Sequence, residues 1–509
     1  LLCSEMEMIL VSLCLTTLLA FLFLKSVLKR TANNKLNLPP SPWRLPLIGN
    51  LHHLSLHPHR SIRSLSLRYG PLMLIHFGRV PILVVSSADV AHDVMKIQDL
   101  KFANRPKSQV IKKILNGGRN LAFSPYGEYW KQIKSVCVLN LLSNKMVRSF
   151  EKVREEEINL IMEKLEKASS CSSLVNLSEL LGTLTVDVIC TLALGGKYSG
   201  CDEKGEINFR HIIRTYMELL GTFPVGEYIP SLAWIDRICN LDGKVKDAIK
   251  KSDSFLERVV QEHEVDDGAH KDSSDFVDIL LSVQKDKTMG FEFNRSDLKI
   301  ILLDMFIGGT STTFTLMEWT MTELMRHPEC MSKLQDEIRS ISPHNLYVKE
   351  EEVEKMTYLN AVVKEALRLH PPAPLLPRLL TEDVKLKGYD IAAGTHVFIN
   401  AWAIQRDTSS WGLDAEEFRP ERHLNSPLDF QGHDLKFIPF GSGRRICPGI
   451  RTSLALAEVT LANLVKRFNW RVEVGPLGDG IPDLVEAIGI DVCRKFPLIV
   501  FPSSAFSST

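Results

Sequence analysis

The sequence predicts a mainly α-helical protein with a minor β part, preceded by a single N-terminal transmembrane helix. Long segments with apolar residues at helical spacing dominate the middle of the chain. Short β-type segments occur near both ends of the body. Met8 to Leu24 is an uncharged apolar run, long enough to span a bilayer at the lower limit of about 17–25 residues.

The individual elements follow from apolar periodicity and from turn residues. Gly78 and Arg79 separate two short apolar segments and predict a hairpin between strands Pro71–Phe77 and Pro81–Val85. The segment Glu264–Ser274 is polar and is predicted to be a loop. The predicted helices are His59–Tyr69, Ala88–Lys96, Met146–Ala168, Leu174–Leu194, Ile207–Leu219, Gly243–His263, Asp275–Val283 and Asn294–His327.

Composition excludes some classes of function. The chain has 509 residues, with 61 Lys and Arg against 61 Asp and Glu, so no net positive charge points to nucleic acid as a partner. Its 10 cysteines are scattered and form no Cys-x-x-Cys pair. This usage is typical of reduced thiols in a protein that faces the cytosol, and not of a disulfide framework.

The N-terminal region is predicted to anchor the protein. Residues 1–24 form the anchor (span about 8–24), residues 25–50 form a basic and proline-rich hinge, and residues 51–509 form one domain. Lys25, Lys29 and Arg30 follow the apolar run, and positive charge collects on the cytoplasmic side, so the body is predicted to face the cytosol. The alternative is a cleaved secretory signal peptide. It is disfavoured because the acidic residues Glu5 and Glu7, and no basic segment, precede the run.

One cysteine-containing loop, Phe440 to Gly449, carries the chemistry of the domain. Cys447 lies among the glycines Gly441, Gly443 and Gly449 and follows Arg444 and Arg445. Glycines let the backbone approach a large flat ligand, and nearby positive charge keeps a thiolate deprotonated. Such a loop can give one sulfur to a haem iron and clamp a propionate with Arg445. The alternative is a buried structural cysteine in a turn.

The same residues carry a resemblance to a known family. Phe440, Gly443, Arg445, Cys447 and Gly449 fill the five fixed positions of Phe-x-x-Gly-x-Arg-x-Cys-x-Gly, which resembles the haem-binding signature of the cytochrome P450 family. The resemblance implies the P450 fold and makes Cys447 the proximal ligand of the haem iron. It places Phe440, Gly441, Arg445 and Gly449 beside that haem.

A polar patch interrupts the most apolar long helix. Gly308-Gly309-Thr310-Ser311-Thr312-Thr313 are poor helix formers, so the patch either makes a packing contact or opens room for a small polar ligand. The patch resembles the oxygen-binding segment of the family, which implies catalytic roles for Gly309, Ser311 and Thr312. Thr312 would hydrogen-bond the dioxygen. Ser311 stands where the family has an acid, and Asp304 is no obvious replacement because it lies nearly two turns away.

Further residues match the family one by one. Glu365 and Arg368 resemble its Glu-x-x-Arg pair, and Arg422 resembles the residue that completes a buried structural network under the cysteine loop. Arg378 stands where the family has a propionate ligand. Trp130 is followed by Lys134 where relatives have Trp-x-x-x-Arg, so Lys134 keeps the charge but lacks the bidentate fork.

The resemblance covers the whole chain and is strongest to the A-type plant microsomal enzymes of clan 71. It implies a monooxygenase of the endoplasmic reticulum membrane that takes electrons from NADPH through NADPH–cytochrome P450 reductase and oxidises a small apolar plant metabolite with dioxygen. Two alternatives remain, a haem-dependent aldoxime dehydratase and a haem-binding protein without turnover. Substrate contacts are expected in Leu100–Ala122 and Ile212–Pro230 and from Phe306, Ile307, Ala373, Leu375, Ala487 and Ile488.

Overall fold

The computed structural model describes residues 16–17, 36–197, 209–265, 274–286, 292–473 and 480–505. Apart from Thr16 and Thr17, the predicted anchor span lies outside the described residues, and so does the basic part of the hinge up to residue 35. Most of the predicted loop Glu264–Ser274 also lies outside them.

Helices form most of the described chain, in keeping with the predicted fold class. The helices are α1 Pro58–Tyr69, α2 Ala88–His92, α3 Gln109–Ile114, α4 Glu128–Val136, α5 Asn144–Ser149, α6 Glu151–Ser170, α7 Leu177–Leu194, α8 Phe209–Leu220, α9 Val225–Tyr228, α10 Trp234–Ile238, α11 Leu241–Val265, α12 Phe276–Lys285, α13 Arg295–Gly309, α14 Ser311–Arg326, α15 Pro328–Ile341, α16 Glu350–Val353, α17 Thr357–Leu369, α18 Ala401–Ile404, α19 Thr408–Trp411 and α20 Ile450–Arg467.

The β part consists of three small sheets. The first has the strand order β1-β2-β7-β4, and its β1–β2 hairpin turns at Gly78 and Arg79 as predicted, with Phe77 paired to Val80. The second sheet, in the order β3-β9-β8, joins the middle of the chain to its C-terminal segment, and the third is the pair β5-β6. The strands are β1 Leu72–Phe77, β2 Val80–Val85, β3 Val175–Asn176, β4 Leu375–Leu379, β5 Val384–Leu386, β6 Tyr389–Ile391, β7 His396–Asn400, β8 Phe468–Val472 and β9 Ile499–Ser504.

Two predicted long helices are interrupted in the structure, and a third begins later than predicted. The helix predicted over Asn294–His327 breaks at Thr310, where the glycine- and hydroxyl-rich patch lowers helix propensity. The helix predicted over Met146–Ala168 breaks at Phe150. The segment predicted to begin a helix at Leu174 first forms β3, because Val175 pairs with Val500, and the helix begins only after the Asn176 cap.

Helices α13 and α14 form the centre of the body. Helix α14 packs against α7, α17 and α20, and α13 packs against α7 and α12. The segments Leu177–Leu194 and Arg295–Arg326 are long and apolar enough to span a membrane. More than half of each is buried inside the body, which is what core helices of a large helical protein show.

Candidate functional site

The loop that contains Cys447 borders a cavity of about 340 Å³. The backbone N–H of Cys447 donates to the carbonyl of Phe440 at 3.0 Å, which closes the loop on itself. Burial raises the pKa of the Cys447 thiol, and a hydrogen bond from the backbone of Gly449 lowers it. Gly443 has φ +70° and packs so close to the carbonyl of Met95 that a Cβ there would clash. The loop therefore requires glycine at position 443.

Three arginines meet at the rim of the same cavity. Arg378 and Arg445 are buried, and Arg105 borders the open space. Burial lowers the pKa of all three guanidinium groups, and mutual repulsion lowers the pKa of Arg105 and Arg445 further. Within the described part of the chain none of the three has a carboxylate within salt-bridge distance. Arg105 and Arg378 donate to the carbonyl of Pro377, and Arg445 donates to that of Ala103.

Two more cavity residues surround Arg445. The guanidinium carbon of Arg445 lies 4.1 Å from the ring centroid of Trp130, whose indole N–H donates to Leu121. Lys134 donates to the carbonyl of Arg444 at 2.8 Å. Burial and then the charge of Arg445 lower the pKa of Lys134. The cavity rim is thus strongly cationic at one end.

These features fit a haem that carries propionates. Cationic groups held together in a poorly solvated place need an anion to offset their repulsion and desolvation. The guanidinium groups of Arg105, Arg378 and Arg445 can each donate two parallel hydrogen bonds to a carboxylate. The sulfur of Cys447 offers the iron ligand, and glycines allow a flat macrocycle to approach the loop. Lys134 and Trp130 border the same space.

The break between α13 and α14 lies beside residues that border the same cavity. Gly308, Gly309 and Thr312 border it, and the Thr312 hydroxyl donates to the carbonyl of Gly308 at 2.6 Å. A Cβ on Gly309 would lie 2.9 Å from Cδ1 of Ile189, so the glycine lets α13 pack closely on α7. We call the part of the cavity wall formed by Gly308, Gly309 and Thr312 the Thr312 groove.

Sequence reasoning assigned no role to Asp304, an acidic residue in the wall of the cavity. Asp304 borders the cavity and accepts from the Asn120 side chain at 2.7 Å and from the Leu121 N–H at 2.6 Å. Burial raises its pKa to about 7. Ser311 does not border the cavity within the described chain.

The structure brings some of the expected substrate residues to the cavity and places others elsewhere. Ile307 and Ala373 border it. Phe306 is fully buried in the core, because one helical step turns it away from the face that Ile307 presents. In strand β4 the side chain of Leu376 faces the cavity, so that of Leu375 points to the other side of the sheet.

Ala487 and Ile488 also lie away from the cavity. The N–H of Ala487 donates to the carbonyl of Cys493 in a hairpin-like turn, and Ile488 is 66% exposed. Leu121, Val188 and Met305 are apolar cavity residues that sequence reasoning did not single out.

The network expected around Glu365 is formed in the structure. The Glu365 carboxylate accepts two bonds from Arg368, at 2.7 and 2.8 Å, and one from Arg422 at 2.8 Å. His423 adds a contact of 2.8 Å that sequence reasoning missed. Arg368 also donates to the carbonyl of Gln405, whose side chain accepts from the N–H of Ile438. The network is thereby connected to the segment that leads into the cysteine loop.

Sequence reasoning also missed Arg105. It expected the surrounding loop, Leu100–Ala122, to contact substrate, and it gave no special place to a single arginine there. The signal in the sequence is Asn104-Arg105-Pro106, a charged residue in a turn between apolar segments. Only the folded loop shows that this charge is directed toward Arg378 and Arg445.

Comparison with known proteins agrees with this geometry. The cytochrome P450 family model matches residues 39–479. The chain is 67% identical to "Cytochrome P450 71A20" and 66% identical to "Indoleacetaldoxime dehydratase", both of Arabidopsis thaliana, over 98% of this chain and 100% of each relative. A solved zebrafish cytochrome P450, from a structure with abiraterone, superposes with a TM-score of 0.72 at 25% identity, over 88% of this chain and 99% of that one. The chain therefore belongs to the cytochrome P450 family, whose members are monooxygenases that bind haem through a cysteine thiolate.

Proposed function

We propose that this chain oxidises a small apolar plant metabolite with dioxygen, using electrons from NADPH that a membrane-bound flavoprotein reductase delivers. The observation that carries the proposal is that Cys447, the arginine rim and the Thr312 groove all border one cavity. The walls between them are largely apolar, with Val188, Met305 and Leu376 among them, which suits an apolar ligand.

Each part of the cavity has a distinct task in this proposal. When bound, haem would supply the reductive activation of dioxygen, in which one oxygen atom enters the substrate and the other leaves as water. Cys447 would hold the iron, and Arg105, Arg378 and Arg445 would pair with the propionates. Thr312 presents a hydroxyl to the oxygen side of the cavity and can pass a proton there. The apolar walls exclude water from the reacting centre.

The spectrum of the reduced protein with carbon monoxide tests the haem ligation. We expect a Soret band displaced to the red in the wild type and its loss in Cys447→Ala. Cys171→Ala is the matched control, because Cys171 is an exposed free thiol remote from the cavity, and it should keep the band. A red-displaced band that survives in Cys447→Ala contradicts the proposal.

Turnover is the second test. With NADPH and a plant P450 reductase, the full-length protein should consume oxygen, and a panel of plant metabolites should include one that shifts the Soret band and yields an oxidised product. Oxygen consumption that stays at the level of a Cys447→Ala sample would favour a haem-binding protein without turnover.

A second candidate function is dehydration of an aldoxime to a nitrile. Two observations favour it: the relative whose name is "Indoleacetaldoxime dehydratase", and Ser311 in the position where the family has an acid. In this reaction water leaves the aldoxime, and no net electrons are consumed. Formation of nitrile from indole-3-acetaldoxime without oxygen would support the dehydratase, and formation of a product that has gained an oxygen atom, only with NADPH and oxygen, would support the monooxygenase.

We further propose that residues 8–24 anchor the protein in the endoplasmic reticulum membrane in a single pass, with the domain in the cytosol. The support is the apolar run and the lysines and arginine that follow it. Lys131 and Arg444, each about half exposed, offer positive charge to an acidic reductase surface. Protease protection of tagged microsomal protein tests the topology, since a tag at the N-terminus should be protected and one at the C-terminus should be cleaved.

A further inference from the structure

One tight turn of the chain, residues 120–124, contacts both helix α13 and the arginine rim of the cavity. The side-chain oxygen of Asn120 accepts from the N–H of Phe123 at 3.1 Å, and the Ser124 hydroxyl donates to the carbonyl of Gly118 at 2.8 Å. Asn120 and Ser124 are both buried. Local bonds of this kind fix the shape of a short loop from within, so a contact that holds one residue of the 120–124 turn also holds the others.

Asp304 of α13 binds this turn with both of its carboxylate oxygens. Its Oδ1 atom accepts from Nδ2 of Asn120 at 2.7 Å, and its Oδ2 atom accepts from the N–H of Leu121 at 2.6 Å. The Asn120 amide has a fixed orientation, because its oxygen already accepts from Phe123. Both partners of Asp304 are therefore donors, which suits an ionised carboxylate, since that group only accepts.

The same turn holds Arg445 and Trp130. The carbonyl of Leu121 accepts from the indole N–H of Trp130 at 2.9 Å and from Nη1 of Arg445 at 3.5 Å. The carbonyl of Ser124 accepts from Nη2 of Arg445. Both terminal nitrogens of the guanidinium group thus bind the turn, and its Nε atom binds the carbonyl of Ala103 at 2.7 Å.

Arg445 depends on these neutral acceptors because its charged neighbours repel it. Burial and then the charge of Arg378 lower the pKa of Arg445. In the described part of the chain, no carboxylate lies within salt-bridge distance of Arg445. Carbonyls of a loop hold a guanidinium group only as firmly as the loop itself is held, and groups that orient a ligand from behind affect how strongly it binds.

We infer that Asp304 is a positioning residue for haem: it holds the 120–124 turn on α13, and the turn sets the place of the Arg445 guanidinium group. Asp304 acts through the turn and does not itself touch a propionate. The inference deepens the proposed function, since it rests on the pairing of Arg445 with a propionate.

Resonance Raman spectra of the full-length, haem-loaded ferric protein test the inference without turnover. The propionate bending bands of haem shift with the hydrogen bonds that the propionates accept, so Arg445→Leu should shift one of them. Asp304→Asn should shift the same band, because an amide at position 304 presents a donor to the donor of Asn120. Haem transfer to apomyoglobin should also become roughly 10–100-fold faster in Asp304→Asn, the range typical of losing a group that orients a ligand.

Exchange of the two partners distinguishes positioning from a loss of charge or of general stability. In the double variant Asn120→Asp with Asp304→Asn, an amide on α13 again faces a carboxylate in the turn, and the wild-type band and most of the wild-type transfer rate should return. Asn120→Asp alone should not restore them, because two carboxylates then face each other. Asn120→Ala, which removes only one of the two donors, should shift the same band by less than Asp304→Asn does.

Glu318→Gln is the matched control. Glu318 is a buried acid of α14 that also accepts from two donors, the Ser178 hydroxyl at 2.5 Å and the N–H of Arg494 at 3.2 Å. Burial raises its pKa, as it does for Asp304. Glu318 does not border the cavity within the described residues. Its replacement should lower the free energy of unfolding in urea and leave the propionate bands unchanged.

The outcomes separate this inference from the proposed function. If Arg445→Leu changes neither the propionate bands nor the rate of haem transfer, the propionate role in the proposed function fails and the inference fails with it. If Arg445→Leu changes both and Asp304→Asn changes neither, only the inference fails. If Asp304→Asn and the exchanged double variant transfer haem equally fast and both keep the wild-type bands, Asp304 affects only stability and its positioning role is refuted.

Discussion

Replacing Glu365 with glutamine should destabilise the domain severely. The Glu365 carboxylate is fully buried and accepts side-chain bonds from Arg368 and Arg422, a contact from His423 and a backbone bond from Arg419. Glutamine is nearly the same size, so no cavity forms. It removes the negative charge, so that the buried guanidinium of Arg368 loses its carboxylate partner and that of Arg422 keeps only Asp414, at 3.3 Å.

Two independent figures give the size of the effect. Breaking a buried ion pair by removing one partner costs about 3–5 kcal/mol. The pKa of Glu365 is lowered from 4.5 to about 2, because the bonds from Arg368 and His423 outweigh burial, which raises it. At 1.36 kcal/mol for each unit, this corresponds to about 3 kcal/mol. We therefore expect Glu365→Gln to lower the free energy of unfolding by about 3–5 kcal/mol near pH 7.

The sign of the pH dependence follows from the lowered pKa. A carboxylate whose folded pKa lies below its unfolded value contributes fully above about pH 4.5 and loses its contribution as the pH falls toward 2. The difference between wild type and Glu365→Gln should therefore be constant above pH 5 and shrink below pH 4.5.

Urea unfolding of the haem-loaded protein, followed by helical circular dichroism and by the Soret band, measures the effect. Glu382→Gln is the matched control, since Glu382 forms an exposed pair with Lys101 at 2.9 Å and should cost less than about 1 kcal/mol. A Glu365→Gln protein that unfolds within 1 kcal/mol of the wild type would refute the claim that this carboxylate holds the network together.

Three further predictions follow from the cavity. Arg105→Leu should speed haem transfer to apomyoglobin roughly tenfold or more, since one charge-assisted bond is worth about 1.5–3 kcal/mol; unchanged transfer would separate Arg105 from the haem. Gly443→Ala should lower haem content, because the new Cβ meets the Met95 carbonyl, whereas Gly388→Ala, also at positive φ but with open space, should keep it. Burial raises the pKa of Asp304 to about 7 in the folded protein, so the free energy of unfolding of the wild type should fall as the pH rises from 4 to 7. In urea melts over this range, the free energy of unfolding of Asp304→Asn should fall less. Parallel pH profiles of the two proteins would contradict this.

The sequence was sufficient to predict features that depend on local patterns. The hairpin at Gly78 rests on neighbouring residues, and so does the loop of Cys447 and its glycines, which the structure places at the cavity. Helix continuity was harder to predict, because β3 forms only when Val175 meets Val500. A strand of two residues has no periodicity of its own.

The second feature that the sequence did not predict is the direction in which individual side chains point. Phe306 and Ile307 are adjacent and both apolar, yet only Ile307 borders the cavity. The same holds for Leu375 and Leu376 in strand β4. In a helix or strand whose two faces are both buried, the apolar pattern does not identify the face that meets a ligand. That choice depends on the packing of distant elements.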